Sequence, residues 1–369
     1  MKSSDVIIVG GGVIGCSIAW RLAQAGLSVN VIERNVPGAG ASSSAGGMLL
    51  PQEESDGPGE MLDLMLKSRE LYPTFSEELQ SESGIDIEFK SKGALKLLFD
   101  EEDEKLACEC LEWHRKEDLP LERLSSAEVL ELEPNLSPEL NGALYYPSEG
   151  QVGNRKLVTA LVAAAQKAGV EFNNGEEMLG ISAEEQVVEI ETQADTHAAA
   201  TAVLCGGSWS KEIGDRLGFT LPVFPYKGQM VQLQVPASMF ERPILHQGAY
   251  IISKPVGRVL CGGTMEKVGF DKRVTGEGMH SILESTLRIA PSLSDAEIVD
   301  TWACFRPATP DGLPIIGRIP GSPNVIAATG HFRNGILLTP VTAELVRGLI
   351  IRSEEEGLAP FAPGRFVDD

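Results

Sequence analysis

The sequence predicts an α/β fold in which a parallel-sheet domain is interleaved with an α+β domain of mostly antiparallel sheet. Three observations predict it. An apolar run, Asp5-Val-Ile-Ile-Val-Gly10, enters a glycine turn, then a helical pattern, then a second strand closed by Glu33. Two later apolar runs, Ala202-Val-Leu-Cys205-Gly206-Gly207 and Asn324-Val-Ile-Ala-Ala-Thr-Gly330, also end in glycine. Between them lie stretches that alternate apolar and polar residues, the pattern of half-buried strands.

The first unit has the spacing of a Rossmann-like dinucleotide site. Gly10 permits the tight turn, Gly12 lets the backbone approach a pyrophosphate, and Gly15 lets the helix lie close on the sheet. The helix N-terminus offers free N–H groups to an anion. Glu33 is placed to accept hydrogen bonds from a ribose hydroxyl. The loop that follows, from Arg34 to Met48, is rich in glycine and serine and lets backbone pass close to a flat ligand. Residues 60–82 read as an amphipathic helix. From Ile85 the character changes: Ile85-Asp-Ile-Glu-Phe and Gly93-Ala-Leu-Lys-Leu-Leu-Phe alternate like strands, with acid-rich helices at about 101–117 and 125–132. Residues 154–168 return to a helix, and residues 222–300 carry further strands and a helix over 277–289. The nucleotide domain is therefore expected over residues 1–84, 150–220 and 300–369, and a substrate domain over 85–149 and 221–299.

Composition narrows the function. The 369 residues are 43% hydrophobic and 23% charged, ordinary for a globular enzyme. A net charge of -22 argues against nucleic acid or an anionic membrane as partner, since both need clustered positive charge. The six cysteines show no metal-ligand spacing, so no metal is expected, and free thiols suit a reducing cytoplasm. Val13-Ile-Gly-Cys16 imitates a lipoprotein cleavage box, but Asp5 interrupts the apolar run; a cytoplasmic location is expected. The five histidines are scattered, and no Ser/His/Asp nucleophile arrangement is legible.

Three glycine-terminated strands favour a long ligand stretched across a switch point, which suits FAD better than NAD. The second signal is Trp302-Ala-Cys304-Phe-Arg306-Pro-Ala-Thr-Pro310-Asp-Gly-Leu-Pro-Ile-Ile-Gly317. A guanidinium on an apolar strand matches a carboxylate through two parallel hydrogen bonds. The residues alone leave two readings open: a substrate clamp, or an arginine paired with Asp300 or Asp311.

Together, Gly10-x-Gly12-x-x-Gly15, Glu33, the serine-rich loop to Gly47-Met48, the Phe305–Gly317 motif and Gly330-His-Phe-Arg-Asn-Gly335-Ile-Leu-Leu resemble the D-amino-acid-oxidase-like FAD-dependent oxidoreductases. Within them, the look is that of the glycine-oxidising branch of the thiamine pathway. The resemblance runs through essentially the whole chain. It implies non-covalent FAD, an amino-acid or amine substrate with O2, and the products 2-oxo acid, ammonia or amine, and hydrogen peroxide. It also implies a homo-oligomer such as a tetramer.

Carried over by position, Arg306 clamps the substrate carboxylate, Tyr250 adds a hydroxyl hydrogen bond, and Arg333 is a second substrate contact. FAD contacts fall at Val13, Ile14, Glu33, Arg34, Ala41, Ser42, Gly46, Gly47, Met48, Met178 and the run His331, Phe332, Arg333, Asn334, Gly335, Ile336, Leu337. Met48 and Met265 are expected at the substrate pocket, with plain core filling as the competing role. Hydride passes from the substrate Cα to flavin N5 with no side-chain base, and a helix beginning near Asn334–Gly335 is expected to point its positive end at the reduced ring.

Two departures bear on the substrate. The glycine-oxidising member carries a Tyr and a His where this chain has Leu245 and Gly248; the pocket is therefore expected to be less polar and roomier, admitting sarcosine, D-alanine or D-proline alongside glycine. Cys304 falls where related sarcosine oxidases attach flavin covalently, and is expected here as an unreactive thiol. The alternatives are a D-amino-acid dehydrogenase passing electrons to a quinone, a sarcosine-oxidase-like enzyme, and a flavin-binding assembly subunit without turnover.

Overall fold

Alternation along the first strand decides the architecture. In the computed structural model, which describes residues 2–367, Val6 and Ile8 of strand Lys2–Val9 join one buried cluster while Ile7 and Val9 join another. A strand apolar on both sides belongs inside a parallel sheet covered on both faces. The strand is accordingly central in an eight-stranded sheet. Its main path runs Ile315–Ile319, Ser322–Thr329, Thr196–Leu204, Lys2–Val9, Val29–Glu33, Glu171–Asn174. Four of these pairings are parallel, and Ile315–Ile319 closes one edge antiparallel. One face is covered by helices Val13–Gln24, Glu60–Ser83, Asn154–Lys167 and Thr339–Arg352, whose Trp20, Tyr72, Leu157 and Val341 are buried together. The other face packs on Met178–Ala183 and Val188–Thr192, through Met178, Val188 and Ile190.

The second eight-stranded sheet runs Glu297–Ala308, Phe224–Gln234, Arg258–Gly262, Ala249–Lys254, Ile244–His246, Ala94–Leu98, Gly142–Tyr146, Glu122–Ser125. Every pairing is antiparallel except Ile244–His246 with Ala94–Leu98. Val231, Ile251 and Val259 bury one face against Ile282 and Ile289 of helix Gly276–Ile289. The other face presents Met230, Ile252 and Leu260 to Met48 and Tyr250. Period-two alternation thus points one side of this sheet at its own helix and the other toward the parallel sheet.

Three expectations are corrected here. Residues 85–89 form no strand: Glu88 adopts φ 58, which breaks any ladder, and Ile87 is buried with the helices of the parallel sheet. Residues 300–308, placed by sequence in the nucleotide domain, pair with Phe224–Gln234 in the antiparallel sheet. The regular helix after Gly330 begins at Thr339, preceded by a 3-10 turn over Phe332–Asn334 rather than opening at Asn334.

Candidate active site

The C-terminal ends of Lys2–Val9, Thr196–Leu204 and Ser322–Thr329 are neighbours in the sheet, so the three glycine turns meet at one edge. This is the switch point, where open α/β sheets bind ligands. A cavity of about 500 Å³ starts there and continues to the inner face of the antiparallel sheet, taking in Gly10, Gly206, Gly330, Tyr250 and Arg306.

At the nucleotide end the geometry is set by close approach. Gly10 has φ 111, and a Cβ there would overlap the Cys205 carbonyl. A Cβ at Gly15 would overlap the Gly10 carbonyl, so this glycine serves helix packing and does not line the cavity. Helix Val13–Gln24 has no side-chain N-cap; Ser42 Oγ accepts from Val13 N–H at 3.1 Å. Helix N-termini without caps leave N–H groups for an anion. Glu33 accepts from Gly11 N–H and Asn35 N–H, both at 2.8 Å, and reaches the cavity wall. Arg34 lies 3.7 Å over the Trp209 ring, a cation–π contact, and Phe270 stacks on the same ring at 5.3 Å. The residues present fit an extended dinucleotide: a turn for the pyrophosphate, an acid for the ribose, and a wall built of backbone.

Along the middle of the cavity run Gly46–Met48 and His331–Ile336. Gly47 (φ 85) accepts from Val152 N–H at 2.8 Å, and Val152 in turn accepts from Lys254 Nζ at 3.0 Å. Burial pushes the Lys254 ammonium down to about 8. On the other wall, Tyr72 donates to the Ile336 carbonyl and Ser68 to that of Leu337, turning both carbonyls into the helix layer. His331, which burial lowers to about 3, is neutral and bonded to Thr342 Oγ1 at 3.0 Å.

At the far end stands Arg306, opposite Tyr226 on strand Glu297–Ala308. Its Nη1 donates to the Thr264 carbonyl at 2.9 Å. A Cβ on Gly228 would lie 2.5 Å from the guanidinium carbon, and one on Gly262 would lie 2.7 Å from the Tyr250 hydroxyl. Glycines at these strand positions make the room that both side chains occupy. Neither Asp300 nor Asp311 pairs with Arg306; Asp311 is taken by Arg365 at 2.7 Å, and among the described residues no carboxylate lies within ion-pair distance of Arg306. Tyr250 donates to Met230 Sδ at 2.8 Å, and burial raises its pKa against the pull of Arg306. Arg333 donates to Glu54 at 2.7 Å. Burial lifts Glu54 to about 7 although Arg333 opposes it.

Gly10, Gly12, Val13, Ile14, Glu33, Arg34, Ala41, Ser42, Gly46, Gly47, Met48, Met178, His331 to Ile336, Tyr250 and Arg306 all line this one cavity. Four expected positions besides Gly15 do not. Leu337 is buried in the helix layer. Leu245 is core, packed with Leu50 and Ala94 behind Tyr250. Gly248 (φ 82) sits in the hairpin turn between Ile244–His246 and Ala249–Lys254, with nothing within 4 Å of its would-be side chain. Met265 is 46% exposed and touches Arg306 Nη1 at 3.4 Å from outside the lining. Leu245 and Gly248 therefore do not line the cavity directly, Leu245 reaching it only through Met48 and Tyr250. Sequence reasoning missed Trp209, Gly228 and Glu54. Only Gly228 left a signal, as a glycine inside an alternating strand, where close approach of another group is the usual reason.

Residues 5–349 match the family model described as FAD dependent oxidoreductase (DAO). The glycine oxidase of Geobacillus kaustophilus (strain HTA426) is 38% identical over 366 residues, covering 98% of this chain and 97% of that protein. The crystal structure of glycine oxidase from Geobacillus kaustophilus superposes with a TM-score of 0.96 at 37% identity, covering 100% of both chains. The bifunctional protein ThiO/ThiG of Synechocystis sp. is 37% identical across 99% of this chain, which spans 54% of that longer protein.

Proposed function

The chain belongs to the FAD-dependent oxidoreductase (DAO) family and is an FAD-dependent amino-acid oxidase, and on that premise we propose that it oxidises glycine and small amines such as sarcosine, D-alanine and D-proline. The products are the 2-oxo acid, ammonia or amine, and hydrogen peroxide. Thiamine synthesis is the pathway this reading assigns, supported by the likeness to about half of a protein named ThiO/ThiG. A cytoplasmic site of action goes with it; among the described residues no helix is long and apolar enough to cross a membrane.

The observation that carries the reading is Arg306: a half-buried guanidinium with no carboxylate partner among the described residues, in the same cavity as the nucleotide turn. FAD, when bound, supplies the hydride acceptor and the site of reoxidation by O2. Gly10, Gly12, Val13 and Ile14 would hold its pyrophosphate and Glu33 its ribose, and Gly46–Met48 with His331–Ile336 would flank its ring. Cys304 also lines the cavity, and burial keeps its thiol protonated, which supports non-covalent attachment.

Arg306 takes the substrate carboxylate in two parallel hydrogen bonds while Thr264 fixes its orientation. The Tyr250 hydroxyl exchanges a weak sulfur acceptor for a carboxylate oxygen, a favourable swap for a neutral phenol. Holding one end of so small a substrate fixes the direction of its Cα–H, and positioning of this kind supplies a large share of the rate. The amine is bound neutral, so its lone pair forms the C=N bond as hydride leaves Cα, and water then hydrolyses the imine. His331 is no base for this step, because burial lowers its pKa to about 3 and its ring is bonded to Thr342.

An anaerobic screen of glycine, sarcosine, D-alanine and D-proline against the holoprotein tests the reading by bleaching of the flavin band, with peroxide yield measured in air. No bleaching with any of the four sinks it. Bleaching without peroxide moves the protein to the dehydrogenases.

A further inference from the structure

We infer that the Glu54–Arg333 ion pair sets which amines the site accepts: by cancelling one of two guanidiniums it leaves a pocket that admits amines bearing one carboxylate and rejects those bearing two. This rests on the assignment of Arg306 as the carboxylate clamp.

Two cations enter the far end of the cavity from different elements, Arg306 on strand Glu297–Ala308 and Arg333 in the turn Phe332–Asn334. Tyr250 between them feels the charge of both. Among the described residues, the one cavity-lining carboxylate at this end is Glu54, whose side chain is 8% exposed and sits 2.7 Å from Arg333, 279 residues away in sequence. Neighbouring charges are already matched. Glu53 is held by Lys96 at 3.1 Å, and Glu266, next to the Thr264 that fixes Arg306, is held by Lys227 at 3.0 Å. Lys272 reaches the rim, but it is exposed and screened by solvent. The sum is one uncompensated positive charge, on Arg306, equal and opposite to one substrate carboxylate. A second carboxylate, as on an N-carboxymethyl amine, would enter a desolvated space with Glu54 as neighbour and no free cation to receive it. An unpaired charge in such a place is strongly disfavoured, and specificity built on rejection works this way. Glu54→Gln keeps the size and an oxygen for Arg333 but removes the charge, which frees Arg333 to take a second carboxylate in fork geometry.

The test compares wild type, E54Q and E54Q/R333M as holoproteins, each shown folded by its bound-flavin spectrum. The first readout is the kcat/KM ratio of iminodiacetate to sarcosine. The second needs no turnover: dissociation constants of their ether analogues, oxydiacetate and methoxyacetate, from perturbation of the flavin band. The expected result is a shift of about fivefold or more toward the diacid in E54Q on both readouts, lost again in E54Q/R333M. A smaller shift in E54Q, or one that survives removal of Arg333, overturns the inference. Wild type supplies a second measurement should E54Q not hold flavin. Its diacid-to-monoacid ratio rises as pH falls through about 7, where Glu54, raised by burial and Glu53 and lowered by Arg333 and Arg306, takes a proton. A flat ratio across that pH overturns the inference. Failure of wild type to bind methoxyacetate or oxidise sarcosine overturns the monoacid-amine reading itself, whereas normal monoacid handling with an unshifted ratio overturns this inference alone.

Discussion

Replacing Gly228 by alanine tests where the Arg306 guanidinium sits. The new methyl would lie 2.5 Å from Cζ, Nη1 and Nη2 of Arg306. Carbon and nitrogen rest at about 3.5 Å or more, so the guanidinium must retreat by about 1 Å. It is the free end of a long side chain, and retreat is easier for it than for the backbone of Phe224–Gln234. The retreat breaks the 2.9 Å bond to the Thr264 carbonyl. A hydrogen bond from a charged donor is worth about 1.5–3 kcal/mol, which corresponds to about 10- to 150-fold in an equilibrium constant. A displacement of about 1 Å at a positioning group costs about 100-fold independently of that sum. Gly228→Ala is therefore expected to raise KM for glycine or sarcosine by about 10- to 100-fold. Alanine suits a strand interior better than glycine, so the melting temperature should hold or rise slightly. Steady-state kinetics and a thermal melt of the holoprotein measure both. An unchanged KM would refute the placement, and a collapse of the melting temperature would mean that the backbone yields instead of the side chain.

Acid precipitation of the holoprotein should leave the flavin in the supernatant, because burial keeps the Cys304 thiol protonated; flavin found on the polypeptide by mass spectrometry contradicts this. Tyr72→Phe removes the side-chain donor to the Ile336 carbonyl, which keeps the longer 3.3 Å bond from Thr339 N–H, so a loss of about 0.5–1.5 kcal/mol in urea unfolding is expected, with weaker FAD binding by fluorescence quenching. Equal FAD affinity would detach Tyr72 from the cavity wall. Lys254 has its folded-state pKa lowered to about 8 from 10.5, so between those values the unfolded chain binds the extra proton and stability rises with pH. Lys254→Met should flatten that rise; identical pH profiles in the two proteins would show that the ammonium is not buried as described.

The nucleotide half was legible because its signals are local. Gly10, Gly12 and Glu33 act within one strand–turn–helix–strand unit, and Gly10 answers a backbone requirement that no other residue meets as well. Arg306 could be singled out for the same reason, as a charge on an apolar strand, although its freedom from Asp300 and Asp311 could not be read from spacing. The substrate end was less legible. Leu245 and Gly248 both precede Tyr250 in sequence, yet Leu245, opposite Tyr250 on the neighbouring strand, is held in the cluster with Leu50 and Ala94, and Gly248 turns the hairpin.

Sequence by itself determined the cofactor class and the pair of sheets, since turn chemistry and the two-residue period of a strand are properties of neighbouring residues. Tertiary structure alone decided the charge balance of the substrate end. Glu54 meets Arg333, Trp209 meets Arg34, and strand Glu297–Ala308 joins the antiparallel sheet rather than the parallel one. Each of these is a meeting of groups far apart in the chain, governed by how layers pack and which charges remain unmatched once water is gone, and no local pattern encodes such a partner.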